Sequence, residues 1–510
     1  NPGNFTVSEE VKGRPWILGE DQKLLGSIKS GAGCTNAVML AYTSRREEFA
    51  GEKGGIFVIG SCPSVGIAGY ATGGGQGDAT PWVGLGVDDV LSYDIVLYNG
   101  TSVTASATEH TDLYWYLRGG GSGIGVITQL ETAIVQSPDP EPGSDRKFTA
   151  VFLNYSNEEE KVKKFVKRFQ DFLVPDLPFD SMEYKNKIKK GSARFGGGGN
   201  IGVEDAPYVS VTQISGHFLG SEKEAREVFD EYGLLDPEIL VNSNFIEGNT
   251  YGEAQAYLLC STITGSGGWL TWTATSLPQA NVCEDLGIDS EEFCDEIQVA
   301  PGFTGRVPKC EEPTVIEAIV NASLKPQSFM NRPGSELLAD FSDQLLNVPN
   351  PIIRQSLKGG LVLPRLEPDV LLELANIGIA ISHLAHGAPT LIAPKDTGYA
   401  NREEFWLLSF ENTDYALKDD WYNRFTSILT NKVYGGDPSK IRGFYNYVNP
   451  LGNPNWREYY WGDNYEKLSD IKLIYDETNG FGNPVQVQPA IPGKKKQNEK
   501  GGKSGGEYPN

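Results

Sequence analysis

The sequence predicts an α+β protein of two domains, on three observations: its length, its glycine and proline content, and a strand-then-helix rhythm through its middle. At 510 residues the chain exceeds the ~300 that a single core usually supports. Sixty glycines and thirty prolines are too many for a helix bundle and suit strands joined by backbone-lined loops. Strands that each feed an amphipathic helix build a sheet with helices on one side.

From Ile56 to Val135, short β-rich runs (Ile56 to Ile59, Ser92 to Leu97, Gly125 to Thr128) alternate with glycine-dense loops. The block ends at Ser137-Pro-Asp-Pro-Glu-Pro-Gly143, where regular structure is forbidden and a boundary or hinge is expected. A strand at Phe148 to Leu153 then precedes Ser156-x-x-Glu159, read as a capping box opening a helix. Val162, Phe165, Val166, Phe169, Phe172 and Leu173 recur at helical spacing, which gives that helix one apolar face. The unit repeats as strand Tyr208 to Ile214, box Ser221-x-x-Glu224 and a helix through Ala225, Val228, Phe229 and Tyr232. Helices are expected at Ser335 to Leu346, Asp369 to Ile379 and Tyr459 to Tyr475, and a strand at Glu404 to Phe410. Beyond Pro492 the lysine- and glycine-rich tail lacks apolar content and is expected to be disordered.

A formal charge of −23 and a pI near 4.7 repel phosphate backbones and anionic headgroups, which argues against nucleic acid and membrane surfaces as partners. No apolar run approaches the ~20 residues that span a bilayer. Sequons at Asn4, Asn99, Asn154 and Asn321, together with six cysteines, fit a secreted protein. Cys260, Cys283, Cys294 and Cys310 are close enough in sequence to form two disulfides in any of three connectivities. A zinc site is the alternative for that cluster, but no CxxC spacing or nearby histidine supports it, and no metal is expected. Asn1 follows neither a methionine nor an apolar leader, so a leader has been removed or the sequence begins part-way through a gene product.

Two glycine clusters carry the chemistry. The first, Gly60-Ser-Cys-Pro-Ser-Val-Gly-Ile-Ala-Gly-Tyr-Ala-Thr-Gly-Gly-Gly-Gln-Gly77, lets backbone approach a flat or anionic ligand as no Cβ would allow. A flexible linker is the alternative, but linkers seldom hold Cys-Pro, Val, Ile and Tyr among their glycines. The second, Trp115-Tyr-Leu-Arg-Gly-Gly-Gly-Ser-Gly-Ile-Gly-Val-Ile127, runs into an apolar strand and lacks the strand-before, helix-after context of a dinucleotide fingerprint. Both clusters, with Gly86-Val-Asp-Asp-Val90 between them, resemble the flavin-binding domain of the berberine bridge enzyme-like family, within the vanillyl-alcohol oxidase flavoproteins. Phe444-Tyr-Asn-Tyr447 and Tyr459-Tyr-Trp-Gly-Asp-Asn-Tyr-Glu-Lys-Leu468, then Lys472, Tyr475-Asp476 and Phe481, extend the resemblance.

The resemblance implies a partial PCMH-type FAD-binding domain at 1–140, a substrate domain at 141–430 built on an antiparallel sheet with helices on one side, and a segment at 431–492 returning to the first domain, before the tail at 493–510. It implies a thioether from Cys62 to the flavin, with a buried structural cysteine as the plainer reading. It sets Pro63, Ser64, Val65, Gly66, Gly69, Tyr70, Gly73, Gly74, Gly75 and Gly77, then Gly119, Gly120, Gly121, Gly125, Val126 and Ile127, and Asn446, around an FAD. Val65 stands where relatives line the oxygen approach. Asp396 stands where they carry the carboxylate that takes the substrate proton; a surface aspartate in a Lys-Asp-Thr-Gly turn is the alternative. Tyr445 and Tyr447 stand in the motif that orients or deprotonates a hydroxyl, and core filling is the alternative for either.

Three departures from the family pattern stand out: Phe444 replaces the motif's first tyrosine, Tyr70 a common histidine, and the family's Arg-Ser-Gly-Gly-His loop is missing. A longer protein or a second chain completing the domain is therefore expected. The expected activity is an FAD-dependent oxidase of a carbohydrate or aromatic alcohol, with dioxygen as acceptor and hydrogen peroxide as product. A dehydrogenase with another acceptor and a catalytically inert flavin-binding protein are the rivals.

Overall fold

Two antiparallel sheets organise the molecule, a computed structural model that describes residues 24–36, 39, 55–60, 65–121, 123–137, 147–173, 181–204, 212–252, 254–255, 291–300, 303–309, 357–363, 366–375, 379–383, 389, 392–402, 406–412, 426–447, 455–482 and 486–491. The first sheet runs β1 (Leu24–Gly31), β5 (Val126–Gln136), β3 (Val90–Val96), β4 (Ser102–Ser106), with β2 (Gly55–Ile56) also paired to β5. β5 is its spine and is much longer than the Gly125 to Thr128 read from the sequence. Its polar residues hide the strand pattern, because Glu131 accepts from Ser27 at 2.5 Å and from Ser92 at 3.3 Å. The helices α1 (Ile67–Thr72), α2 (Thr80–Val83), α3 (Gly86–Asp89) and α4 (Thr111–Leu117) fall within this part of the chain.

The second sheet draws on β6 (Phe148–Tyr155), β7 (Phe195–Ile201), β8 (Thr212–Leu219), β9 (Leu240–Gly248), β12 (Leu357–Leu363), β13 (Ile379–His383), β14 (Trp406–Asn412) and β15 (Arg442–Gly443), in the order β15-β12-β14-β13-β7-β8-β6-β9. A hairpin of β10 (Cys294–Ala300) and β11 (Phe303–Pro308) stands apart from it, and Cys294 is disulfide-bonded. On this sheet lie α5 (Glu159–Leu173), whose Val162, Phe165, Val166, Phe169 and Phe172 are buried, and α7 (Glu222–Glu231); α6 (Met182–Lys190) and α8 (Pro368–Ala375) are further helices of this stretch. Phe172 centres an aromatic core, 5.6 Å from Phe195 and 5.1 Å from Phe229 between ring centroids.

The second capping box forms in both halves, Ser221 accepting from Glu224 N and Glu224 from Ser221 N. The first does not. Ser156 Oγ instead accepts from Glu158 N at 3.3 Å, and the helix begins at Glu159, two residues later than a box would require. The strand expected at Tyr208 to Ile214 begins among undescribed residues and is seen as Thr212–Leu219, while the helix expected to reach Ile379 stops at Ala375 and β13 follows. The single helix expected at Tyr459 to Tyr475 is two, α9 (Trp456–Trp461) and α10 (Tyr465–Tyr475), broken at Gly462 with φ 46°, ψ −132°, which only glycine adopts readily. Ser335 to Leu346 and the tail beyond Pro492 lie outside the described residues. Among the described residues no helix is long and apolar enough to cross a membrane.

Candidate active site

The tail of the chain joins the two sheets. Arg442–Gly443 pair with β12 of the second sheet, and the next three residues cross to the glycine clusters of the first. There the glycines divide into two sets.

One set is open. Cβ atoms built at Gly31, Gly33, Gly66 and Gly69 would meet no atom within 4 Å. These glycines lie together because Asn36 N donates to Val65 O at 3.0 Å and Ile67 N to Cys34 O at 2.9 Å, setting the Gly31–Cys34 turn against the start of α1. Ala32 N ties that turn to Thr128 O of β5 at 2.9 Å. Val65, 37% exposed, borders the surface. Gly69 is the informative residue. Glycine inside a helix costs about 0.5–1 kcal/mol relative to alanine, and no described protein atom requires its missing Cβ. A floor kept bare in this way fits a flat, non-protein ring laid upon it.

The other set is closed by protein. A Cβ on Gly73 would stand 2.5 Å from Asn446 Nδ2, on Gly74 2.8 Å from Phe444, on Gly75 2.8 Å from Tyr70, and on Gly77 against the carbonyl of Ile59. The second cluster behaves alike: Gly119 meets the backbone of Tyr399, Gly120 meets Leu468 at 2.6 Å, Gly121 meets Tyr445 at 2.5 Å and Gly125 meets Val96 O at 2.7 Å. Trp461 Nε1 donates to Gly119 O at 2.9 Å. Tyr70 is buried, its ring enclosed by Gly60, Gly75, Gly77 and Gly86.

A buried ionic cluster holds the 392–402 segment on α3. Arg402 grips Asp88 through both Nη atoms, at 2.9 and 2.7 Å, and its Nη2 also donates to Thr397 Oγ1 at 2.8 Å. Arg118 lies 3.7 Å from the same carboxylate and donates from Nε to Val87 O. Sequence reasoning passed over this trio, although two adjacent aspartates inside Gly86-Val-Asp-Asp-Val90 are the kind of charge that is buried only when paired. It also passed over the wholly buried Lys472–Asp476 pair at 2.7 Å, signalled by opposite charges four residues apart, and His217, whose Nδ1 lies 3.0 Å from Asp78 and ties the end of the first cluster to β8.

The proton-handling candidates are scattered. Tyr445 packs 4.8 Å from Trp461 with the rings tilted by 43°, and burial pushes its phenol up to about 12, against a lowering bond with Gln486. Asp396 is exposed in a short 3-10 turn, Pro394–Asp396, beside Lys467. That turn is pinned by Trp115 Nε1 on Lys395 O at 2.8 Å and Asn464 Nδ2 on Pro394 O at 2.7 Å, so Asp396 stands among the charges of α4 and α10. Tyr447 ends a 3-10 turn and its side chain lies outside the described residues, as do Cys62, Pro63 and Ser64. Val126 is 54% exposed at the start of β5 and Ile127 is half-buried beside it.

Residues 443–488, the segment that closes the glycine clusters, match the domain family described as berberine and berberine like. Over 442 residues the chain is 22% identical to a glucooligosaccharide oxidase of Sarocladium strictum, covering 84% of this chain and 69% of that one. Among solved structures, a chitooligosaccharide oxidase superposes with a TM-score of 0.58 at 17% identity, covering 96% of this chain and 81% of that one. A glucooligosaccharide oxidase from Acremonium strictum, with a 6-S-cysteinyl, 8α-N1-histidyl FAD, superposes with a TM-score of 0.56 at 17% identity, covering 95% and 80%. The chain is similar to the berberine-like, FAD-linked oxidoreductases in its 443–488 segment and in its fold. The α+β expectation holds in that fold, and the family's tail motif is seen here to do a defined job, filling glycine gaps in the first sheet's loops.

Proposed function

We propose that the protein is an FAD-dependent oxidase of alcohol groups, with a carbohydrate as substrate. One observation carries the reading: a Cβ-free floor at Gly31, Gly33, Gly66 and Gly69 that no described protein atom fills, in a chain whose tail is berberine-like. An FAD would rest on that floor, and Cys62, three residues before Val65 in the sequence, is the candidate for the 6-S-cysteinyl anchor named for the Acremonium enzyme. When bound, the flavin supplies hydride acceptance from the alcohol carbon and transfer of the electrons to dioxygen, yielding hydrogen peroxide. Val65 leaves a small apolar edge for oxygen. The eight-stranded sheet would face the bound flavin and its side chains would select the sugar, a class suggested by the gluco- and chitooligosaccharide oxidases the chain resembles.

The hydroxyl proton needs an acceptor within reach. Tyr445, protonated up to about pH 12 and bonded to Gln486, is better suited to holding the tail in place. Asp396 and Tyr447 remain as the two acceptors, Asp396 on the condition that its surface turn folds inward over substrate. Passage through the secretory route agrees with the exposed sequon at Asn99 and the disulfide at Cys294.

The test uses the full-length protein, denatured and run on a gel. Flavin fluorescence should stay with the polypeptide and disappear in Cys62→Ala. Oxygen uptake with stoichiometric peroxide on oligosaccharides is the expected activity. Turnover with an artificial acceptor but no peroxide would make the protein a dehydrogenase, and a wild-type chain that holds no flavin in any form ends the proposal.

A further inference from the structure

We propose that Asn446 is a positioning residue, a strap that fixes α1 beneath the cofactor, rather than a cofactor ligand. The inference rests on the reading of Gly66 and Gly69 as the cofactor floor.

The amide of Asn446 is spent on protein. Its Oδ1 accepts from Gly75 N at 2.8 Å, and its Nδ2 donates to Gly69 O at 3.1 Å and to Tyr70 O at 3.0 Å. A primary amide has two N–H donors, so none is left for a ligand. The two carbonyls belong to the last turn of α1, where main-chain acceptors have no partner inside the helix. The strap is therefore a C-terminal cap delivered from 377 residues away in sequence. Gly121 N completes it by donating to Thr72 O at 3.1 Å.

What makes this more than a cap is which residue it holds. Gly69 presents its bare face to the open floor while its carbonyl is gripped from behind by Asn446. Any shift of the tail then moves the floor directly. Gly73 has a role in the same device: its Cβ would stand 2.5 Å from Asn446 Nδ2, so glycine is the residue that lets the amide in. An aspartate at 446 would turn an anionic oxygen toward two carbonyls, and alanine would take the acceptor from Gly75 N and the amide donors from Tyr70 O and from Gly69 O, which would keep Thr72 Oγ1 at 3.3 Å.

The experiment uses the full-length, flavin-loaded protein and three variants, Asn446→Ala, Asn446→Asp and Gly73→Ala. Amide exchange at Gly75 should quicken about tenfold or more in Asn446→Ala and Gly73→Ala. The double variant should be no worse than either alone, because both remove one interaction. Asn446→Ala and Asn446→Asp should shift the flavin absorption bands and midpoint potential, and lower kcat about tenfold while KM for the sugar stays within about threefold, as misplacement of the reacting ring predicts. Unchanged exchange at Gly75 in Asn446→Ala, or an unchanged spectrum in the isosteric Asn446→Asp, overturns the proposal. So does a rise in KM alone, which would make Asn446 a substrate contact. Should the wild-type chain hold no flavin, the functional reading falls, and exchange at Gly75 still decides whether Asn446 straps α1.

Discussion

The two halves of the Val65–Gly77 segment are both glycine-rich and have opposite surroundings. Around Gly66 and Gly69 a side chain would meet empty space, while at Gly73, Gly74, Gly75 and Gly77 it would strike Asn446, Phe444, Tyr70 or the Ile59 carbonyl. A glycine-rich run thus need not be a ligand cradle along its whole length. Here about half of it is a seam that receives the tail, and the seam is what gives the other half a fixed shape. In the second cluster Gly120, Gly121 and Gly123 meet the tail, Gly119 meets Tyr399 and Gly125 meets β3. The difference predicts opposite responses to the same kind of substitution.

The largest effect is expected where the seam is anchored by charge. Asp88→Ala would leave the buried guanidiniums of Arg402 and Arg118 without the Asp88 carboxylate, a loss of about 3–5 kcal/mol, with Arg402 and Asp88 side chains at most 1% exposed. Chemical denaturation should show it as an early transition of the first sheet, and Arg402→Leu, which leaves Asp88 with Arg118 alone, should be milder. Next comes Gly119→Ala. The new Cβ would overlap the Tyr399 backbone at φ 127°, outside the comfortable range of L residues. Overpacking of this kind costs about 1–3 kcal/mol, read as a lower midpoint of unfolding. A Gly119→Ala protein as stable as wild type would mean that the second cluster is not a seam.

How much of this the sequence disclosed depended on the kind of interaction. Periodicity exposed α5 and α7, because Phe165, Phe169, Phe172 and Phe229 bury one stripe each and the pattern is local. It shortened β5, where half-buried Glu131 and buried Thr132 look like loop residues until their partners on β1 and β3 are known. Motif spacing brought the glycine clusters and the aromatic tail to notice as separate signals. That Gly73 exists for Asn446, or Gly74 for Phe444, is a contact across some 370 residues, and no local pattern encodes it. Asp396 shows the reverse failure, since the same tetrapeptide suits a catalytic carboxylate or a surface turn, and its exposure beside Lys467 became visible only in the fold.

Smaller effects sharpen the contrast inside the seam. Tyr445→Phe removes one hydrogen bond with Gln486 and should cost about 1 kcal/mol. Its pH dependence is specific. The phenol titrates near 10 when unfolded and is pushed up to about 12 when folded, so the unfolded chain loses its proton first. The stability that Tyr445 contributes is full below about pH 10 and drains away between about 10 and 12. The gap between wild type and Tyr445→Phe should be flat through neutral pH and close in that window, and a gap that opened near pH 7 would restore Tyr445 as a candidate base.

The smallest change in stability is the one that decides the comparison. Gly66 sits at φ −72°, ψ 129°, a conformation open to any residue, with nothing near its Cβ direction. Gly69, inside α1, is likewise unobstructed. If the fold alone governed these positions, Gly66→Ala would be neutral within about 0.5 kcal/mol and Gly69→Ala would stabilise by up to about 1 kcal/mol through helix propensity. Both variants should therefore fold at least as well as wild type. They should nevertheless hold less flavin, with altered absorption, because the added methyls would rise into the floor on which the ring is proposed to lie. Variants that were as stable as wild type and retained full flavin with an unshifted spectrum would show the floor to be bare for some other reason, and the cofactor would have to be sought elsewhere on the chain.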